Sequence, residues 1–232
     1  CYNHSNRKGQ LLLPANNISG GFFMTITTYD TYTLSAEEEL ARCPVFHVDQ
    51  FNWGGSYRPL TTGRLGFLPG TGFLLEMECQ ETDPCCTYTQ DNDPVYLDSA
   101  MEAFFCFAPQ EAEPLYLNFE MNANGAMLAC HGRSRGNRSP FAEELRAGLL
   151  CQAKVLADRW SIRLTLPLTL VQALYPDFAP ETGSRFTCNF YKIKESKGLT
   201  HFASFAPITA PEPDFHLPEY FAHAQILELP PA

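Results

Sequence analysis

The chain is short of basic residues, of tryptophan and of long apolar runs, and each shortage removes a class of function. Lys and Arg number 16 against 26 Asp and Glu in 232 residues, a formal net charge of −10. That excess of negative charge repels phosphate backbones and anionic lipid, so neither nucleic acid nor a membrane is expected as a partner. The most apolar segment, "LLCQAKVLADRWSIRLTLPLTLV", is broken by Lys154, Asp158, Arg159 and Arg163 and falls short of a membrane span. The cysteines form no C-x-x-C pair, and the vicinal Cys85-Cys86 is a poor chelate for one tetrahedral ion. His47, His131, His201, His216 and His223 show no H-x-x-x-H or H-E spacing. The sequence holds no phosphate loop and no dinucleotide fingerprint either.

What is present suits one sizeable β domain. Hydrophobic residues make up 45% of the chain, enough for a full core. Most cysteines lie inside apolar strand patterns, where reduced thiols pack as small hydrophobes. Residues 1–23 begin without Met, show weak periodicity and lack the basic-then-apolar order of a signal peptide. Met24 reads as a start, with Gly20-Gly21 as the translation of a purine-rich bacterial ribosome-binding sequence two codons upstream. On this reading residues 1–23 are a non-native or disordered leader, 24–232 form a single domain, and the protein is cytoplasmic.

Strand patterns follow in close order, at residues 44–49, 62–68, 72–80, 100–108, 114–122, 126–132, 150–157, 159–167, 185–194, 201–206 and 220–229. Short strands punctuated by Gly, Pro and Asn indicate an all-β, antiparallel β-sandwich with a few short helices. Three helices are expected. Ser35 with Glu38 makes a capping box, "LTLVQALYP" ends before Pro176, and "SPFAEELRAG" has Ser139 as N-cap, Pro140 at the first helical position and Gly148 near its end. In "RWSIRLTLP", Trp160, Ile162, Leu164 and Leu166 form a core stripe, and Asn124-Gly125 marks a hairpin turn.

One strand poses the functional question. In "YLNFEMNANGAMLA" the face Leu117, Phe119, Met121 must be buried, but the other face reads Tyr116, Asn118, Glu120, Asn122. A sheet surface meeting solvent is the simpler reading, and a surface meeting a polar ligand is the alternative. Trp53 in "FNWGGSYRP" is either a binding aromatic or, as favoured, a ring covering the core edge. Asp91 to Pro94, "DNDP", reads as a turn rather than a calcium loop, and no cofactor is expected.

Taken in order, "DSAMEAFFCFAP", "YLNFEMNANGAMLA", "RWSIRLTLPLTLV", "SRFTCNFYKIKE", "HFASFAPI" and "PDFHLPEYFAHAQI" resemble the family 9 carbohydrate-binding modules and their DOMON-like relatives, over about residues 44–229. The resemblance implies a β-sandwich holding the end of a sugar chain between two aromatic rings, with polar side chains around it. It implies Tyr96, ahead of the D-S-x-x-E stretch Asp98, Ser99 and Glu102, and Phe215, ahead of Pro218, Phe221 and Ala222, as the two rings. Both stand where the family carries tryptophan. Glu102, Asn118, Glu120 and Asn189 are implied as hydroxyl partners, and Glu120 replaces a basic residue. Sugars present C–H faces for aromatic rings and hydroxyl edges for fixed donors and acceptors, so the residue types suit the ligand. Two carboxylates on one face would repel, raising a pKa, drawing in His216 or Arg135, or favouring a cation. Non-catalytic carbohydrate binding is therefore expected, against two rivals: an intracellular interaction module on the same fold, and a glycan-processing enzyme built on the two carboxylates.

Overall fold

Alternating side chains turn most of this chain into strands, and their pairing curls one continuous sheet into two layers. The computed structural model describes residues 26–196 and 198–231. The leader and Met24 lie outside the described residues. The strands are β1 (Thr28–Thr33), β2 (Phe46–His47), β3 (Gln50–Gly54), β4 (Thr61–Leu68), β5 (Gly72–Cys79), β6 (Ala100–Cys106) and β7 (Tyr116–Asn122). They continue with β8 (Met127–Ser134), β9 (Asn137–Pro140), β10 (Leu150–Val155), β11 (Trp160–Pro167), β12 (Arg185–Lys194), β13 (His201–Ser204) and β14 (Ala222–Glu228). Hydrogen bonding orders them β10-β11-β5-β4-β1-β14-β12-β6-β7-β8-β9, with β2 on β4 and β13 joining β12 to β3. The curled sheet is an all-β sandwich. Its core lies between the layers, where Phe73, Leu75 and Met77 of β5 and Trp160, Ile162 and Leu164 of β11 pack in one cluster with Met101 and Phe105 of β6 and Leu117, Phe119 and Met121 of β7. Among the described residues no helix is long and apolar enough to cross a membrane.

The helix expected at "LTLVQALYP" forms as α1 (Leu168–Leu174). The other two expectations are corrected. Ser35 does not cap an α-helix: a 3-10 helix spans Glu37–Arg42, and Glu39 rather than Glu38 accepts the Ser35 N–H, at 2.7 Å. Ser139 and Pro140 lie on β9, where Ser139 pairs with His131, and only a 3-10 turn at Glu143–Arg146 follows. There the sheet partner supplied by β8 outweighs a local capping preference. The antiparallel expectation fails at β1, which runs parallel to both β14 and β4. "TYDTYT" turns only Tyr29 and Thr31 fully inward, so its apolar signal is weak, and Thr31 Oγ1 donates to Leu65 O at 2.6 Å. At the Asn124-Gly125 turn only Gly125 takes a positive φ, 82°, and its N–H bonds to Asn122 O. The "DNDP" carboxylates bond to protein donors: Asp91 accepts from Met127 N and Arg146, and Asp93 from Gln90 N.

A charged network closes one end of the core. Lys192, on the inward face of β12, is fully buried, with Nζ 3.3 Å from Glu81 Oε2 and 3.0 Å from His201 Nε2. Glu81 also accepts from Trp160 Nε1 at 3.0 Å and from Ser99 Oγ at 2.9 Å. Burial pushes the Glu81 carboxyl up, but Lys192 and these donors outweigh it and hold it below its ordinary value. Since Lys192 donates to Nε2, the other nitrogen, Nδ1, carries the proton and donates to Leu199 O at 2.6 Å.

Burial first, then the Lys192 charge, hold His201 down from 6.5 to about 4. The unfolded chain therefore binds a proton that the native protein refuses. This part of the stability is complete above pH 6.5 and is lost toward about pH 4, by up to ~1.4 kcal/mol per pH unit. His201→Gln keeps an acceptor and a donor but cannot titrate. In urea unfolding across that window, the variant should lose less stability on acidification than the wild type, and equal slopes would contradict the assignment.

Candidate functional site

The register of β6, β7 and β12 decides what shares a face. Glu102 stands directly opposite Glu120 on one side and Tyr191 on the other, and Phe104 stands between Asn118 and Asn189. The polar face of "YLNFEMN" does not meet solvent, contrary to the simpler expectation: Glu102 is 2% exposed, Glu120 3%, and Asn118, Asn122 and Tyr116 0%. The covering layer comes from residues 208–221. Phe215 stacks on Tyr191 with ring centroids 4.1 Å apart, Phe221 meets Phe104 and Tyr116 edge-on, and His216 Nδ1 shares a hydrogen bond with Tyr116 Oη at 3.0 Å.

Within this layer the acid pair is only partly compensated. Arg138 Nη1, from β9, lies 3.3 Å from Glu120 Oε1, and Asn118 Nδ2 donates to the same oxygen at 3.1 Å. Glu120 Oε2 and Asn118 Oδ1 are buried without a partner, and Glu102 lies directly opposite Glu120. Burial, and then the Glu120 charge, push Glu102 well above the usual carboxylate range. Burial also raises Glu120, to about 7, although Arg138 opposes it. The pair thus keeps a proton at neutral pH.

Tyr96 sits half-buried on the 3-10 turn Val95–Leu97, its carbonyl accepting from Glu195 N at 3.1 Å. Asp98 and Ser99 anchor that turn. Asp98 Oδ2 accepts from Asn122 Nδ2 and Tyr88 N, both at 2.9 Å, and Ser99 Oγ links Cys85 N to Glu81. The D-S-x-x-E stretch thus divides its labour: the first two residues hold the loop, and Glu102 enters the site.

Two expected site residues are placed differently. Phe215 is 4% exposed with its ring laid on Tyr191, a core aromatic rather than an open platform. Asn189 is fully buried, and its amide is occupied by Ala206: Oδ1 accepts from Ala206 N at 2.9 Å and Nδ2 donates to Ala206 O at 3.2 Å. Trp53, half-buried against Phe215, donates to Ala210 O at 2.9 Å and covers the core edge. Arg135 is exposed and pairs with Asp214 at 3.2 Å, and Asp214 also takes the His216 N–H. The residue that sequence reasoning missed is Arg138. It belongs to the basic loop "HGRSRGNR", but only the pairing of Gly132 with Arg138 turns it toward Glu120.

An open cleft of about 650 Å³ lies at the far end of the same face, lined by Cys106, Glu113, Arg133, Asn137, Thr187 and Glu219 among others. Its lining contains no aromatic ring on which a sugar face could stack.

The match to known proteins follows the same frame. A family model described as carbohydrate-binding family 9 matches residues 33–226. The chain belongs to carbohydrate-binding family 9. Among solved structures, this family 9 chain is similar to a candidate carbohydrate-binding protein from Bacteroides uniformis, with a TM-score of 0.74 and 20% identity, covering 87% of this chain and 100% of that one. It is also similar to a family 9 module from Caldicellulosiruptor kristjanssonii in complex with glucose, with a TM-score of 0.63 and 10% identity over 87% of this chain and 96% of that one. The cellotriose complex of a family 9 module from that organism gives the same TM-score, 0.63, over 94% of its chain. No curated protein matches the sequence.

Proposed function

We infer that this chain binds carbohydrate without cleaving it, and the observation that carries the reading is the family 9 match across residues 33–226. The proposed site is the region around the acid pair. Tyr96 offers a ring for the C–H face of a sugar, and Glu102, Glu120 and Asn118 offer acceptors for its donors. Glucose and cellotriose, held by the structural neighbours, are the first ligands to try. A non-catalytic role is proposed because the matching family is described as carbohydrate-binding, and among the described residues no nucleophile with its own base and orienting group accompanies the two carboxylates. Incubation with cellotriose should release no shorter sugar.

Calorimetry of the folded protein against glucose and cellotriose tests the reading. Saturable heat is expected, with affinity weakened about 3–10-fold in Tyr96→Ala by the loss of ring stacking. The second reading, an interaction module that no longer takes sugar, is favoured by one observation: the layer carrying Phe215 and His216 already covers the polar face. Absence of heat with every sugar, from protein shown by circular dichroism to be folded, would select it.

A further inference from the structure

The unsatisfied groups around the acid pair are all acceptors. They are Glu120 Oε2 and Asn118 Oδ1, the latter on a side chain that is itself fully buried, and the 2%-exposed Glu102 stands directly opposite Glu120. An unpartnered buried acceptor is costly, and what relieves it is a donor. A hydroxyl brings one O–H, whereas a primary ammonium brings three N–H groups from a single small atom. Size points the same way: with the two glutamates only 2% and 3% exposed, a single substituent can reach them and a sugar face cannot.

Charge makes the same choice. Arg138 compensates one of the two carboxylates, and Arg135 is committed to Asp214. Glu195, at the end of β12, adds negative charge in range of both glutamates, and the titratable groups that cover the pair are His216, Tyr116 and Tyr191, none of them a cation at neutral pH. One negative charge of an ionised pair thus has no partner.

We propose that the Glu102–Glu120 pair, with Asn118, forms a socket for a primary ammonium, so that the sugar this module prefers carries a free amine. The proposal rests on the carbohydrate-binding reading and narrows it to amino sugars. Without a ligand the pair neutralises itself with a proton, and an entering ammonium takes that proton's place. The exchange balances: a carboxylic acid and R–NH₃⁺ become a carboxylate–ammonium pair plus one H⁺ released to buffer.

The test is calorimetry of the full chain with glucosamine, glucose and N-acetylglucosamine in mildly acidic solution, repeated in two buffers of different ionisation enthalpy. Glucosamine should bind about 10–100-fold more tightly than glucose, the gain of a charge-assisted hydrogen bond, and its heat should reveal proton release. N-acetylglucosamine, with a neutral amide, should show neither effect. Glu102→Gln should abolish both the preference and the proton release. Glucose and glucosamine binding equally would overturn the socket and leave carbohydrate binding standing. No sugar binding to folded protein would overturn both.

Discussion

Lys192→Met is expected to destabilise the protein by ~3–5 kcal/mol, the usual cost of stranding one member of a buried ion pair. Lys192 is fully buried and Glu81 is 5% exposed, so the abandoned carboxylate keeps only the neutral donors Trp160 and Ser99. Two of its consequences are separable. Adding Glu81→Gln to Lys192→Met removes the stranded charge, and the double variant should recover much of the lost stability. A double variant no better than the single would mean that packing rather than charge carries the effect. Ser99 hangs on Glu81 and precedes Glu102 by three residues, so the single variant should also loosen the Tyr96 turn. Urea unfolding of the wild type, the Lys192→Met variant and the double variant, read as a shift in midpoint at constant slope, measures the set.

The opposite sign is expected at the acid pair, where Glu120→Gln should make the protein more stable at neutral and higher pH. Burial raises the Glu120 carboxyl from 4.5 to about 7, so the native protein holds a proton that the unfolded chain has released. The resulting penalty is absent below pH 4.5, grows up to about pH 7 and is constant above, where it amounts to ~3 kcal/mol. Gln carries no such penalty, and Glu102 loses its repelling neighbour. Against this stands the lost pair with Arg138, whose side chain is 21% exposed and remains hydrated. Unfolding free energies measured from acid to alkaline pH should therefore coincide at the acid end and separate upward. If the variant were less stable throughout, the pair would be a net structural asset. A fold that retains a self-repelling, half-satisfied pair at its own expense fits a site kept for a ligand, and the same variant should bind sugar more weakly.

Much of this molecule is local, and that part is legible in the residues themselves. Leu117, Phe119 and Met121, or Trp160, Ile162 and Leu164, alternate because a strand has a period of two, and no knowledge of the partner strand is needed to assign them to the core. Turn chemistry is equally local, as Gly125 shows. Helix starts were less legible, because Ser139 and Pro140 carry a capping pattern that pairing with β8 overrides.

The site depends on choices that no local pattern contains. Whether Glu102 faces Glu120 is a matter of register between β6 and β7, and a slip of one residue would have sent Glu120 to the core side. Whether "YLNFEMN" meets water depends on residues 208–221, about a hundred positions further along, folding back to lay Phe215 on Tyr191. Nothing local in "NFYKIK" marks Lys192 for burial: Glu81 reaches it from a distant part of the chain and His201 from the paired strand β13. The all-β class, the core faces and the family follow from the residues alone, because these rest on short-range periodicity and on the order of motifs. That two carboxylates share one buried face follows from the fold, because burial and electrostatic pairing are set by neighbours that are remote along the chain.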